Sequence, residues 1–284
     1  MKTENARETK TTLVLGGTGK TGRRVVERLN TRGLPVRVGS RSGAPPFDWE
    51  DEATWAPALR DVESVYVSYY PDLAVPSAVP VVRSFAELAV KSGVRKLVLL
   101  SGRGEEEAQR AENAVRETGA DLTIVRCAWF MQNFSEDFLS DSVRGGEVVL
   151  PASDQLEPFV DADDIADVAV AALTDDRHIG ELYELTGPRL LTFAEAVLEI
   201  SRAVGREIRY MPISIGDFAA AAAKQGVPSK VVKMLSFIFG EVLDGRNAHL
   251  ADGVQRALGR EPRDFSDYAR DAAATGIWNP RATR

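Results

Sequence analysis

Cysteine and histidine are scarce in this sequence of 284 residues. It contains one cysteine, Cys127, and two histidines, His178 and His249, which lie far apart in the chain. A single cysteine cannot form an internal disulfide, and this usage suits a reducing, cytoplasmic environment. Because a structural zinc site needs several clustered Cys and His ligands, the composition also argues against one.

Long apolar runs and an excess of positive charge are missing as well. No apolar stretch approaches the ~20 residues that a membrane-spanning helix requires, so we expect no membrane segment. The polar stretch Met1–Lys10 has no apolar core and predicts a frayed leader rather than a signal peptide. A formal net charge of −7 argues against nucleic acid as a partner, because phosphate binding requires a basic surface. We expect a small-molecule partner, and a monomer or a homodimer fits the composition equally well.

Three aspartates that stand close together, Asp161, Asp163 and Asp164, resemble a metal-binding cluster. Aspartate is also a preferred residue at a helix start, where its carboxylate accepts hydrogen bonds from backbone amides. We interpret Asp163 as the cap of the helix that follows, and we expect no metal. Cys127 has apolar neighbours on both sides, which predicts a buried and unreactive thiol.

Short apolar runs alternate with helical periodicity through the first half of the chain. This alternation predicts an α/β fold with a doubly wound parallel sheet. The strands are predicted at Thr12–Leu15, Leu34–Ser40, Ser64–Tyr69, Lys96–Leu100 and Leu122–Val125.

The alternation changes after Arg126. A helix is predicted over Phe130–Leu139, and Thr192 is predicted to cap a helix that runs to Val204. The stretch Val231–Leu243 is apolar on almost every side, so it is expected either to lie deep in the smaller domain or to line a pocket.

A glycine-rich turn follows the first predicted strand and opens a helix, with the spacing Gly16-x-x-Gly19-x-x-Gly22. The first glycine permits the tight turn, the second lets backbone amides approach a pyrophosphate, and the third permits close packing of helix and strand. In this context the turn predicts a dinucleotide site of Rossmann type. Its predicted cofactor-binding residues are Gly16, Thr18, Gly19, Lys20, Thr21 and Gly22.

The pair Lys20-Thr21 also resembles the end of a P-loop. That motif requires a glycine five positions before Gly19, where this chain has Val14. Hydrolysis of ATP or GTP is therefore a poor second interpretation.

The end of the second strand bears on the choice of dinucleotide. An acidic residue there would bind the ribose hydroxyls of NAD, but this chain has Ser40-Arg41-Ser42. Arg41 can bind a 2′-phosphate with two parallel hydrogen bonds, which favours NADP(H) and leaves NAD(H) possible. Asp48 and Trp49 are expected near the adenine, although Asp48 could equally be an ordinary loop residue.

Other candidates follow the strand ends, where ligands bind in this class of fold. Ser101 could hydrogen-bond the nicotinamide ribose or the substrate, or it could simply form a turn. Tyr69 could line the cofactor site or donate a proton. An aromatic, apolar set follows the later strands and suits a flat substrate, although Phe130 and Met131 could equally pack in the core. The predicted substrate-pocket residues are Tyr70, Trp129, Phe130, Met131 and Asn133.

Three segments carry a resemblance to a known family: Leu15–Gly22, Ser101–Glu106 and Arg126–Phe134. They resemble the NmrA-like atypical short-chain dehydrogenases, in particular the branch of ergot-alkaloid reductases of the agroclavine dehydrogenase and festuclavine synthase type. The resemblance implies a Rossmann domain, a smaller C-terminal substrate domain and bound NAD(P)(H). It leaves the substrate open, because the group includes both reductases and redox-sensing regulators.

The predicted domains follow from this reading. Residues 11–150 are expected to form the NAD(P)-binding Rossmann domain, with parts of 158–190 returning to it. Residues 191–284 are expected to form the mainly helical substrate-binding part.

The usual acid–base pair of short-chain dehydrogenases, Tyr-x-x-x-Lys, is missing, since no tyrosine in the chain has a lysine four residues later. Where the resemblance places that pair, the chain has Gly104 and Ala108. One hypothesis is an NAD(P)H-dependent reductase of an aromatic or polycyclic acceptor, such as an iminium or a quinone-like compound of secondary metabolism. The other is a non-catalytic dinucleotide sensor that acts through a protein partner.

Overall fold

The computed structural model describes residues 11–137 and 139–280, so the predicted leader Met1–Lys10 lies outside the described residues. The strands are β1 Thr11–Leu15, β2 Val36–Gly39, β3 Val62–Val67, β4 Lys96–Gly102, β5 Asp121–Cys127, β6 Glu147–Leu150, β7 Leu156–Glu157, β8 Leu182–Leu185, β9 Leu191–Thr192 and β10 Arg209–Pro212. The helices are α1 Lys20–Thr31, α2 Trp55–Leu59, α3 Ala78–Lys91, α4 Glu106–Arg116, α5 Asn133–Glu136, α6 Leu139–Gly145, α7 Ala162–Thr174, α8 Phe193–Val204, α9 Ile215–Lys224, α10 Ser229–Phe237, α11 Gly253–Leu258 and α12 Phe265–Ala274. Short 3₁₀ turns occur at Glu52–Thr54 and Asp176–His178, and a π-helical turn at Ile238–Val242.

Six strands form the main sheet in the order β2-β1-β3-β4-β5-β8. Strand β1 pairs in parallel with β2 on one side and with β3 on the other, and β3 pairs in parallel with β4. The chain therefore reverses its direction of travel across the sheet at β1, the topological switch point where such sheets bind ligands. The predicted α/β Rossmann-type fold is confirmed.

The chain divides into two compact units, described separately below. Within the described residues, the first unit comprises 11–101 together with 106–125 and 166–182; the second comprises 102–105, 126–137, 139–165 and 183–280. This division differs from the predicted boundary at residue 150. The physical reason is that β6 pairs with β10 in a separate two-stranded sheet, so the segment after β5 belongs with the later chain.

The core of the first unit lies around the sheet and is mainly aliphatic, although Phe85 also packs against Phe47, Trp49 and Trp55. Leu13, Leu15 and Leu99 are fully buried there with Phe85 of α3. Burying each large apolar side chain stabilises the fold by roughly 2 kcal/mol relative to leaving it exposed, which explains the near-continuous apolar strands of this sheet.

The core of the second unit is aromatic instead. Phe134, Phe159, Phe193 and Phe265 are buried there, with neighbouring ring centroids 5.1–6.2 Å apart. Most of these pairs meet edge to face, the arrangement that the quadrupoles of aromatic rings favour.

Two predicted helices need correction. The helix expected over Phe130–Leu139 is only the short α5, because Phe130 forms a parallel bridge with Val160 and the backbone there is used for strand pairing. The stretch Val231–Leu243 does not lie deep throughout. Helix α10 has no buried residue, and only the π-helical turn and Leu243 after it place side chains in the core.

Within residues 11–137 and 139–280, no helix is both long enough and apolar enough to cross a bilayer.

Candidate functional site

The glycine turn between β1 and α1 is shaped by close backbone contacts. Gly16 has φ +62°, a conformation that side chains disfavour. A Cβ on Gly22 would lie 2.2 Å from the Gly16 carbonyl oxygen, and one on Gly17 would lie 3.0 Å from the carbonyl oxygen of Val14. Only glycine fits at position 22 in a turn this tight. Its missing side chain lets α1 begin directly against the end of β1.

The start of α1 leaves its backbone amides uncapped by side chains. Its N-cap is Gly19, which supplies no side-chain hydrogen bond, and both Thr18 and Gly19 are exposed. Uncapped amides and the positive end of the helix dipole favour an anion at this point. These backbone groups fit a pyrophosphate.

Thr21 lies differently from its neighbours in the turn. Its side chain is buried, and the Tyr66 hydroxyl of β3 donates a hydrogen bond of 2.9 Å to Thr21 Oγ1. This contact ties the first turn of α1 to the sheet from below. Tyr66 was not among the predicted site residues, and its position inside an apolar strand gave no signal of this role.

Arg41 is the second residue after β2, and it is exposed. Its guanidinium makes no hydrogen bond or ion pair with any residue in 11–137 or 139–280. Ser40 and Ser42 flank it, with their hydroxyl oxygens 3.4 Å apart. The segment after β2 therefore presents the Arg41 guanidinium and two serine hydroxyl groups, and β2 itself pairs with β1, the strand that precedes the glycine turn.

The loop that contains Asp48 and Trp49 is held in place by hydrogen bonds. The Asp48 carboxylate accepts a hydrogen bond from the Glu50 amide at 3.0 Å, and Trp49 Nε1 donates to the Ser68 carbonyl at 3.1 Å. The Trp49 ring also packs against Tyr69, with centroids 5.1 Å apart. The predicted candidates Trp49 and Tyr69 therefore lie together, whereas Tyr70 points outward and is 75% exposed.

Ser101 is part of β4 and not of a turn, so the alternative of a turn-forming serine is wrong. It is buried, and its hydroxyl donates a hydrogen bond of 2.6 Å to the carboxylate of Glu112 on α4. Glu112 is itself buried, and sequence reasoning missed it. A signal was available, because Glu112 falls at helical spacing from the buried Ala108 and Val115.

In the second unit, Trp129 is the predicted pocket residue with the most defined surroundings. Its ring packs edge to face on Phe193 and at a tilt on Phe239, each with centroids 5.4 Å apart. Met131 is fully buried in the core of this unit, and Asn133 begins α5.

Two buried carboxyl groups in the second unit, Glu157 and Asp161, were not predicted as site residues. Glu157 accepts a hydrogen bond of 3.0 Å from the Trp129 backbone amide, and burial raises the pKa of Glu157 to about 7. Burial raises the pKa of Asp161 to about 6; Asp161 accepts hydrogen bonds from the side-chain amide of Gln132 and the backbone amide of Asp163. The carboxylate at the start of α7 is thus Asp161, and the prediction that Asp163 is the cap is wrong.

A polar network surrounds Arg103 and Gly104. Arg103 lies 3.6 Å from the Glu184 carboxylate and 2.8 Å from His249 Nε2, while Asn247 Nδ2 donates to the Arg103 carbonyl at 3.1 Å. A Cβ on Gly104 would lie 2.6 Å from Asn247 Nδ2. The carboxamide of Asn247 therefore occupies the space that a side chain at position 104 would need.

Cys127 is buried, and burial raises the pKa of its thiol. A buried thiol with a raised pKa carries little thiolate and is a poor nucleophile. Within the described parts of the chain, no group of three or more His, Cys, Asp or Glu side chains is placed to hold a metal ion.

Comparison with known proteins assigns the chain to a family. A family model described as NAD(P)H-binding matches residues 16–176, and one described as the NmrA-like family matches residues 106–269. Agroclavine dehydrogenase of Claviceps fusiformis is 32% identical over 279 residues, which cover 92% of this chain and 96% of that protein. The NAD(P)H azoreductase of Xenophilus azovorans is 29% identical over 284 residues, covering 92% and 98%.

Among solved structures, the NADPH-dependent quinone oxidoreductase of Escherichia coli, complexed with NADPH, is similar in fold. It superposes with a TM-score of 0.77 at 22% identity, over 92% of this chain and 99% of that one.

The glycine turn at the switch point of a parallel sheet, taken with these matches, defines an NAD(P)(H)-dependent oxidoreductase of Rossmann type. Within that class, the chain belongs to the NmrA-like family. The resemblance drawn from three short sequence segments is confirmed.

Proposed function

We propose that this protein is an NADPH-preferring reductase of a small, flat, aromatic or polycyclic acceptor, working in a cytoplasmic setting. The observation that carries the cofactor preference is Arg41, an exposed guanidinium without a protein partner in the described residues, placed two residues after β2. The backbone amides at the start of α1 would hold the pyrophosphate. Arg41 would bind the 2′-phosphate, with Ser40 and Ser42 as additional donors.

The test of this preference compares Arg41→Ala with the wild type for NADPH and NADH affinity. Loss of a charge-assisted contact should weaken NADPH binding by about tenfold or more and leave NADH binding nearly unchanged. Arg32→Ala is the matched control, because Arg32 is also an exposed arginine of the first unit and ends α1. An unchanged NADPH/NADH ratio in Arg41→Ala would exclude this role.

The catalytic contribution of the protein is proposed to be positioning more than proton transfer. The bound cofactor would supply a hydride to the acceptor. Because Ser101 donates its proton to Glu112, its oxygen lone pairs remain free to accept a hydrogen bond from a ribose hydroxyl. Tyr69, held against Trp49, would form part of the wall beside the cofactor.

Support for an aromatic acceptor comes from the second unit and from the relatives. Trp129 packs at a tilt on the buried Phe239, and Trp129 itself is only partly buried. The related proteins named above are a dehydrogenase of agroclavine, an azoreductase and a quinone oxidoreductase. All three names point to conjugated organic acceptors.

The activity test follows NADPH oxidation with a panel of a quinone, an azo dye, an enone and a cyclic iminium. Turnover of at least one acceptor is expected. If none is reduced while the oxidised cofactor binds tightly, the protein is a dinucleotide sensor, an outcome consistent with the NmrA-like family and with the missing Tyr-x-x-x-Lys pair.

A further inference from the structure

The four tryptophans of the chain differ in how their indole N–H groups are used. Three of them donate to backbone carbonyl oxygens at 2.8–3.1 Å, namely Trp49 to Ser68, Trp55 to Asp48 and Trp278 to Phe134. The fourth, Trp129 Nε1, is shielded from solvent and has no acceptor in residues 11–137 or 139–280. A shielded donor without an acceptor is unfavourable, so its retention needs a reason.

The indole of Trp129 is held in place and cannot easily turn to find an acceptor. Its backbone amide donates to the Glu157 carboxyl group at 3.0 Å, and its carbonyl oxygen accepts from the Val160 amide at 2.9 Å. On the ring itself, Phe193 and Phe239 pack from two directions. The N–H therefore has a fixed direction, as a group that binds a ligand requires.

The aromatic cover over this indole includes an irregular helix. Phe239 lies on the π-helical turn Ile238–Val242, where the Leu243 amide donates to the Ile238 carbonyl at 3.0 Å. Such turns are rare and occur often at functional sites. Because the indole N–H is shielded, a ligand can reach it only if part of the ring packing moves. Phe239, one of the two packing rings, lies on the π-helical turn, so this irregular turn is the element that would have to move.

We propose that the indole N–H of Trp129 donates a hydrogen bond to the acceptor substrate, which selects substrates bearing a neutral lone pair at the reducible group. Quinone carbonyl oxygens and azo nitrogens have such a lone pair. The nitrogen of an iminium cation has none, so it offers the indole no acceptor. This inference rests on the proposed reductase function and ranks quinones and azo compounds above iminium cations as its substrates.

The chemistry is consistent with such a donor. In quinone reduction, hydride from NADPH and one proton from water give the hydroquinone and NADP⁺. Negative charge builds on the quinone oxygen as hydride adds, and a fixed N–H donor stabilises that charge more than it stabilises the neutral ground state.

The direct test is a proton–nitrogen correlation spectrum of the protein with isotope-labelled tryptophan side chains, saturated with NADP⁺. Four indole signals are expected, and the one missing in Trp129→Phe belongs to Trp129. Menadione or methyl red should shift this signal strongly and leave the three carbonyl-bonded indoles nearly unmoved. A Trp129 signal that stays in place at saturating menadione overturns the proposal.

A kinetic test separates the hydrogen bond from the ring packing. Trp129→Phe should lower kcat/KM for menadione about tenfold more than it lowers kcat/KM for N-methyl-dihydroisoquinolinium, because only the quinone oxygen can accept the indole hydrogen bond. Phe193→Leu keeps the N–H and loosens the packing, so it should affect both acceptors to the same degree. Equal losses for both acceptors in Trp129→Phe would overturn the proposal.

The two proposals fail in different ways. If no acceptor is reduced, the reductase function fails, whether or not NADPH binds. If menadione is reduced without any change at the Trp129 signal, the reductase function stands and only the role of the indole fails.

Discussion

The glycine turn of the first unit and the surroundings of Trp129 in the second unit differ in whether backbone or side chains form them. The turn is made of backbone, within the single continuous stretch from Leu15 to Gly22. The Trp129 region is made of side chains that come from β7, α8 and the π-helical turn. The first is proposed to bind the dinucleotide, whereas the second can vary one side chain at a time.

This difference indicates where the protein tolerates substitutions. A backbone cradle depends on the absence of side chains, so nearly any substitution at Gly22 meets the carbonyl of Gly16. A side-chain site can exchange a ring or a carboxyl group while the fold stays intact. The following predictions test this contrast, beginning with the largest effect.

Gly22→Ala should be the most damaging of these substitutions. Its Cβ would lie 2.2 Å from the Gly16 carbonyl oxygen, so the backbone of the turn has to shift. We expect a loss of about 3 kcal/mol in the free energy of unfolding, together with weakened NADPH binding. Urea denaturation and a cofactor titration measure the two effects.

The matched control is Gly145→Ala, the last residue of α6. A Cβ there meets nothing within 4 Å, and its φ is not positive. Replacing a helical glycine by alanine should stabilise the protein slightly, by about 0.5 kcal/mol. If the two substitutions cost the same, the turn is not the tight backbone contact described above.

Glu157→Gln should give a pH-dependent effect of intermediate size. The folded-state pKa of Glu157 is raised from 4.5 to about 7, so its favourable contribution is complete below pH 4.5 and is lost as pH rises through about 7. Glutamine mimics the neutral acid and can still accept from the Trp129 amide. The unfolding free energy of the variant should match that of the wild type below pH 4.5 and exceed it by about 3 kcal/mol at pH 8.

Denaturation across this pH range, with the exposed Glu207→Gln as control, checks the expectation. A stability difference between Glu157→Gln and wild type that does not grow with pH would contradict it. The difference in unfolding free energy between Glu207→Gln and the wild type should not change with pH.

Thr192→Ala should have the smallest effect. Thr192 Oγ1 accepts from the Glu195 amide at 3.1 Å, and Glu195 Oε2 accepts from the Thr192 amide at 2.8 Å, which completes a capping box at the start of α8. We expect a loss of about 1 kcal/mol in global stability.

Ser214→Ala removes a similar cap from α9, a helix with no buried residue. Because α9 contributes little to the core, that loss should appear as faster local hydrogen exchange and only slightly in global unfolding. Equal global losses for the two caps would contradict the difference in burial between α8 and α9.

Sequence reasoning succeeded where the determinants are local. The glycine spacing predicts the turn, and Thr192 with Glu195 specifies the start of α8, because both are short-range patterns of backbone geometry and hydrogen bonding. The alternation of strands and helices likewise predicts the sheet, since its apolar periodicity survives within each segment.

Long-range pairing explains the failures. The helix predicted over Phe130–Leu139 is interrupted because Phe130 pairs with Val160, a partner that no local pattern announces. The role of Glu157 depends in the same way on the Trp129 amide, 28 residues away. The placement of cofactor and substrate residues remains a prediction that the experiments above address.

The carboxamide of Asn247 beside Gly104 has an evolutionary consequence. A tyrosine at 104 would clash with Asn247 at its first side-chain carbon and would have to adopt the positive φ of +72°, while a lysine at 108 would replace a fully buried alanine. Neither half of a Tyr-x-x-x-Lys pair is therefore reachable here by a single tolerated substitution. Installing such a pair would require the Asn247 side chain to move or change in addition to both substitutions, so the surroundings of position 104 constrain which chemistry this scaffold can acquire.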